Sequence, residues 1–392
     1  MAFMIFKKSC ICACTFCLTV SLPLWSLADA GAPKPKGPAT VTSVAQQPVG
    51  YSSDGQNRPI KPTGPATKTY TTPVPGKPKP TEPVTTVSPL PGGVSSKSHT
   101  FEKKSSININ DHVVMVSGSI SVGYANGKSR ELVYNRDTGH KNSELDWQLD
   151  QVAMFGVDAS IKPLSWLRVN GNVWFKINEG NGNMDDYDWR ATNYDDWTDW
   201  SHSASPVTEG LLYDVNMELT FLRFTQTSFF GIVGYKHDHW KWEGIGGTYI
   251  YSTYYIRDTV GSFPNETVIS YEQTYDAPYI GIGFHANLDP VTLTGRFIGS
   301  TMVRASDEDH HLLRDLVITS SMDDGMMYGI DFACTYNFTQ HIAATAAFQY
   351  TKFEEIKGEK NWNFFSENNK FKYGGGLDNE SSLFYLSLLF TL

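Results

Sequence analysis

After its first 30 residues, this 392-residue sequence has one cysteine, Cys334, and no apolar run near the roughly 18 residues of a transmembrane helix. With only Cys334 left in a processed chain, no intrachain disulfide and no cysteine metal site can form. The missing apolar run excludes a helical membrane span beyond residue 30. Large apolar side chains are almost lacking from residues 31–100, where 14 of the 20 prolines lie among Lys, Thr, Ser and Gly. Such a stretch buries too little surface to offset its ordering entropy, and a disordered, partly polyproline-II tether is expected. Positive charge is scarce beyond residue 100. Residues 1–30 carry a net +1 and residues 31–100 a net +6, so of the total of −9 the remainder, 101–392, holds −16. That balance favours cationic partners over nucleic acid.

What is present begins with a leader. Lys7 and Lys8 precede an apolar run from Cys10 to Leu27, and small residues come next near Ala28 and Ala30, the layout of a secretory signal peptide. The other four cysteines (Cys10, Cys12, Cys14, Cys17) lie inside it, and Phe16 precedes Cys17 where a lipoprotein signal requires a small residue. The chain therefore divides into a signal peptide over 1–30, a disordered Pro/Lys/Thr-rich periplasmic linker over 31–104, and a folded part over 105–392. The basic linker also suggests contact with anionic envelope polymers such as peptidoglycan.

The folded part has a period of two. Leu211, Tyr213, Val215, Met217, Leu219 and Phe221 alternate with residues that include Asp214, Asn216, Glu218 and Thr220. Tyr328, Ile330, Phe332, Cys334 and Tyr336 repeat the pattern, as do Ile342, Ala344, Ala346, Phe348 and Tyr350. A soluble sandwich would show the same alternation. Three features favour a membrane barrel. Tight turns (Pro163–Ser165, Thr225–Thr227, Leu288–Pro290, Asn337–Thr339) alternate with long polar stretches. Aromatic residues make up 13% of the chain and gather near strand ends, as interfacial girdles do. The last strand sets Phe384, Leu386, Leu388, Phe390 and Leu392 on one face. The expected fold is all-β, an antiparallel transmembrane β-barrel of about ten strands with a disordered Pro-rich N-terminal segment. Several runs exceed the roughly 9–11 residues needed to cross a bilayer, so strands should continue past the outer surface.

Two short pairs stand out as chemistry. Asp186 and Asp188 are spaced i,i+2, as are Asp309 and His311, so on a strand each pair projects from one face. One offers two carboxylates, the other a carboxylate beside an imidazole able to take and return a proton. Both fall at the outer end of the expected barrel, between a strand (ending near Ile177 or Met302) and an outer loop. Taken alone, each reads more readily as a solvated loop charge or a fortuitous calcium-like cluster than as a catalytic pair, and no third ligand set of metal spacing accompanies them.

Around these pairs the sequence resembles the omptin family, outer-membrane endopeptidases built as ten-stranded barrels. The stretches that carry the resemblance include Asn126–Tyr134, Glu144–Trp147, Gly182–Trp189, Trp197–Ser201, Gly246–Ser252, Gly261–Asn265, Pro278–Gly281 and Ala305–His311. The resemblance implies Asp186, Asp188, Asp309 and His311 as catalytic groups, with His311 as general base, Asp309 orienting it and the Asp pair sharing a proton. It implies Glu131 and Asp307 as the pocket for a basic substrate side chain, basic peptides or proteins as substrates, and no metal. It further implies a bacterial outer-membrane location with the site facing outward, and lipopolysaccharide as lipid partner and activator, with no other cofactor. The family usually continues Trp-Thr-Asp-x-Ser with a histidine, where this chain has Ser203. In the stretch resembling the lipopolysaccharide site, His239 and Thr274 stand where arginines are expected. Two other readings compete: a non-catalytic barrel serving as adhesin or structural protein, and a narrow cation-selective channel.

Overall fold

The computed structural model describes residues 114–191, 193–364 and 369–392, and the signal-peptide and linker assignments lie outside these. Alternation drives nearly every described element into antiparallel β-structure: β1 (Met115–Tyr134), β2 (Lys141–Leu164), β3 (Leu167–Lys176), β4 (Asn183–Asp188), β5 (Asp199–Ala204), β6 (Val207–Arg223), β7 (Thr227–Tyr251), β8 (Thr259–Ser262), β9 (Thr267–Asn287), β10 (Val291–His311), β11 (Leu316–Asn337), β12 (Ile342–Phe364) and β13 (Asn369–Thr391). The thirteen strands form one sheet, and β1 pairs with both β2 and β13, so the sheet closes without an edge. β3 and β4 both lie against β2, and β5 and β6 both lie against β7, so each couple is one interrupted stave. β8 is a short strand added to the far end of β7. Ten staves remain, the expected number.

The turn end of the barrel carries the apolar belt. Ile120, Val122 and Tyr124 on β1, Val215, Met217 and Leu219 on β6, and Phe384, Leu386, Leu388 and Phe390 on β13 face outward and are exposed. Between them, polar residues point inward and satisfy one another. Ser119 and Ser121 donate to Asp158, Arg296 pairs with Asp331 at 2.6 Å, and Tyr279 donates to Asp214. A barrel set in lipid must have this inverted order, apolar outside and polar within.

Strands of 20 to 25 residues (β1, β2, β7, β9–β13) continue past that belt. There the interior changes character. Trp147, Trp242 and Tyr271 are fully buried, Trp147 stacking on Tyr271 at 4.9 Å between centroids, with Leu145, Met184 and Leu149 around them. Tyr275, Phe353, Val303 and Ile356 form a second buried cluster. Such aromatic contacts fill volume that side chains of the polar half could not, and they fix the spacing of the walls above them.

Candidate active site

β4 presents the first pair. Its even residues face the interior: Met184 sits in the aromatic core against Trp147, and Asp186 and Asp188 lie on the same face. At about 3.3 Å per residue, Asp186 stands roughly 7 Å beyond that core. Ser143 on β2 lies 3.3 Å from Asp186 Oδ1, and Arg190 reaches Asp188 Oδ2 at 2.7 Å. Burial, and next to it the charge of Asp188, hold the Asp186 carboxyl well above the ordinary range.

β10 presents the second pair, at a place that differs from the one expected from sequence. Asp309 and His311 do not lie beyond the strand; they are among its last residues, because β10 runs unbroken to His311. In the turn half of β10, even residues such as Ile298 face inward, while Phe297 is exposed. Between Gly299 and Arg304 β10 has one extra residue relative to β9, which reverses the alternation, while its local bulge against β11 at Ser300/Val303 is matched by one in β11 before Ala305. Beyond it the odd residues Val303, Ala305, Asp307 and Asp309 are buried.

His311 Nε2 lies 2.8 Å from Asp309 Oδ2. This is an ion-pair distance without hydrogen-bond geometry, and neither buried oxygen of Asp309 receives a donor. The other ring nitrogen is occupied. Directly after His311, the single 3-10 turn Leu312–Arg314 ends on Asp315 in the left-handed region and folds Arg314 back, so that its guanidinium donates to His311 Nδ1 at 2.7 Å. With Nδ1 accepting, the ring proton is assigned to Nε2, toward Asp309. Burial, then Arg314, push the imidazole down to about 3, and burial pushes the Asp309 carboxyl up to about 7 against the pull of Lys360. The two pairs stand beside the same aromatic stack, Tyr271 pairing in register with Asp309 and Trp147 with Met184, and within reach of each other's charge, Asp309 being among the groups raising Asp186.

Glu131 and Asp307 are also brought together, but around a third residue. Both are enclosed in the wall, and between them lies Lys360 of β12, whose Nζ is 2.9 Å from Glu131 Oε1 and also bonds Asp307. Ser320 on β11 donates to Asp307 as well. Burial pushes the Glu131 carboxyl up, with Lys360 opposing and Asp309 and Asp307 adding to the rise. Sequence reasoning singles out neither Lys360 nor Arg314. Arg314 is three residues past His311 and within reach of a sequence argument. Lys360 is hidden by a second bulge, between Phe353 and Ile356, that reverses the alternation of β12.

Ser203, at the position where a histidine is usual, is fully buried and donates to the carbonyl of Gly246 at 2.7 Å, while its neighbour His202 pairs with Asp185 at 2.9 Å. His239 and Thr274 touch each other across β7 and β9, Nδ1 to Oγ1 2.9 Å. Among the described residues no cluster of three His, Cys, Asp or Glu side chains is placed to hold a metal ion. The site end of the barrel thus offers a neutral imidazole and a pair of carboxyl groups, the group types that acid–base chemistry on a water requires.

The model of the Omptin family matches residues 112–392. A plasminogen activator of Yersinia pestis is 35% identical over 240 residues, which are 61% of this chain and 76% of that protein. The outer membrane protease OmpP of Escherichia coli (strain K12) is 28% identical over 288 residues, 70% of this chain and 90% of the relative. The crystal structure of outer membrane protease OmpT from Escherichia coli superposes with a TM-score of 0.68 at 26% identity, covering 71% of this chain and 97% of that one.

Proposed function

The chain belongs to the omptin family, an outer-membrane barrel by fold, and from that premise we propose that it is an endopeptidase that hydrolyses peptide bonds beside basic residues. One observation supports the reading: Asp186/Asp188 and Asp309/His311 stand at the same end of the barrel beside the Trp147–Tyr271 stack, Tyr271 pairing in register with Asp309 and Trp147 with Met184. A water placed between His311 Nδ1 and the Asp couple attacks the scissile carbonyl carbon as its proton passes to Nδ1. Asp309, buried and without a hydrogen-bond donor, stabilises the imidazolium so formed. The proton held by Asp186/Asp188 stabilises the carbonyl oxygen as it becomes an oxyanion, and His311 then returns a proton to the leaving amine. Glu131 and Asp307 are the carboxylates on the side of the substrate cation, and the site faces outward, opposite the tight turns. Lipopolysaccharide is retained as a proposed activator, tested in the same assay.

A second reading, a barrel without turnover, has its own observation: Arg314 sits on the base and Lys360 sits between the pocket carboxylates. Purified, refolded protein given a fluorogenic peptide containing Arg-Arg, with and without lipopolysaccharide, separates the two. Cleavage is expected, with Asp186→Ala and His311→Ala each lowering kcat/KM by about 10²–10⁴-fold. No cleavage in either condition sinks the protease reading, and cleavage that survives both substitutions sinks the residue assignment.

A further inference from the structure

Lys360 takes no part in the mechanism above, yet four separate features of the barrel are arranged around it. The bulge between Phe353 and Ile356 turns it inward, where an unbroken β12 would point it out. Its side chain has no exposed surface. On β13, a Cβ at Gly375 would stand 2.5 Å from Lys360 Cγ, so only glycine leaves space for the stem. Ser320, paired in register with both Asp307 and Lys360, fixes the Asp307 carboxylate that the ammonium meets.

The consequence for the pocket is one of volume and of charge. Two carboxylates face one permanent ammonium, and the single oxygen left without a partner is Glu131 Oε2. A cationic side chain entering here meets, in place of two unpaired carboxylates, an ion pair that has already met its desolvation cost. It must displace Lys360 or settle for the remaining oxygen.

We propose that Lys360 is the specificity-determining residue of this pocket, a resident counter-ion occupying the place that Glu131 and Asp307 would otherwise offer to the substrate's Lys or Arg. This rests on the reading of Glu131 and Asp307 as the substrate pocket. The parent protein then prefers a basic side chain over a neutral isostere only weakly. Removing the ammonium uncovers two carboxylates, and the preference for a cationic over a neutral side chain rises, read as a ratio in which any effect of Lys360 on Asp309 is common to both peptides.

The test compares parent and Lys360→Met, both refolded and checked by heat-modifiable migration on gels, on paired peptides that differ only in arginine or citrulline before the scissile bond. Lys360→Gln, which can keep hydrogen bonds to both carboxylates without the charge, serves if the methionine variant does not refold. The arginine-to-citrulline ratio of kcat/KM is expected to rise about tenfold or more in the variant, the scale of a buried charge-assisted contact. Binding of n-butylguanidinium, measured by calorimetry, is expected to tighten by about the same factor, and this readout needs no turnover. A strong arginine preference already present in the parent and unchanged in the variant overturns the proposal while leaving basic specificity intact. A ratio of one in both proteins, with no guanidinium binding by either, overturns the pocket assignment itself. If neither protein cleaves but the variant gains guanidinium binding, the protease reading fails and the role of Lys360 stands.

Discussion

Arg314 is where residue-scale chemistry is most sharply constrained. Its guanidinium lies on His311 Nδ1 and is, after burial, the largest influence holding the imidazole down to about 3. A positive neighbour disfavours a second positive charge, so removing it raises the pKa of His311. Arg314→Ala should therefore move the acid limb of the kcat/KM profile to higher pH and raise the rate near neutrality, because Nδ1 is left open to water. A pH–rate series on parent and variant checks this; an acid limb that stays in place or moves down would show that Arg314 does not govern the base. The sign comes from which state titrates: the neutral imidazole is the active base, so activity is lost as pH falls through the pKa. The four candidate catalytic residues are legible in the sequence, because i,i+2 spacing on a strand needs no tertiary information. Arg314 and Lys360 look like ordinary surface cations in sequence, since their partners lie in a folded-back turn and on other strands.

At the scale of the element, bulges decide what each strand offers the cleft. Between Gly299 and Ala305, β10 has one residue more than β9, and that surplus turns Asp307, Asp309 and His311 inward. A one-residue change of register exchanges the two faces of a strand. Deleting Met302, an exposed member of the bulge, should restore simple alternation and turn those three side chains out of the barrel. Heat-modifiable migration should persist, since the turn half is untouched, while kcat/KM falls by at least about 10³-fold. A deletion variant that still cleaves would show that the strand end re-registers by itself. Strand existence is legible from alternation, and so is the side that meets lipid in the turn half. The upper half is not, because each bulge resets the count and leaves no composition signature.

For the whole molecule, the charge division matters more than any pair. Residues 101–392 hold a net −16, and carboxylates line the site end of the barrel, including Glu144, Asp146, Asp185 and Asp378. Field of one sign at a mouth concentrates cationic peptides and is screened by salt, the Debye length falling to about 10 Å at 0.1 M. KM for a dibasic peptide should therefore rise several-fold between roughly 20 and 200 mM salt, with kcat constant and a neutral peptide unaffected. Equal salt response of both peptides would rule out steering by the acidic mouth. By itself the sequence determined the closed antiparallel barrel, its apolar belt, its acidic balance and the residue types available for hydrolysis, because these depend on local alternation and composition. Only the tertiary structure decided which of those residues meet. The i,i+2 pairs come to one end of the barrel because β4 and β10 are tied through the Trp147–Tyr271 stack. Glu131 and Asp307 enclose Lys360 because strands distant in sequence lie side by side and bulges turn them inward. Long-range pairing, not local preference, sets that geometry.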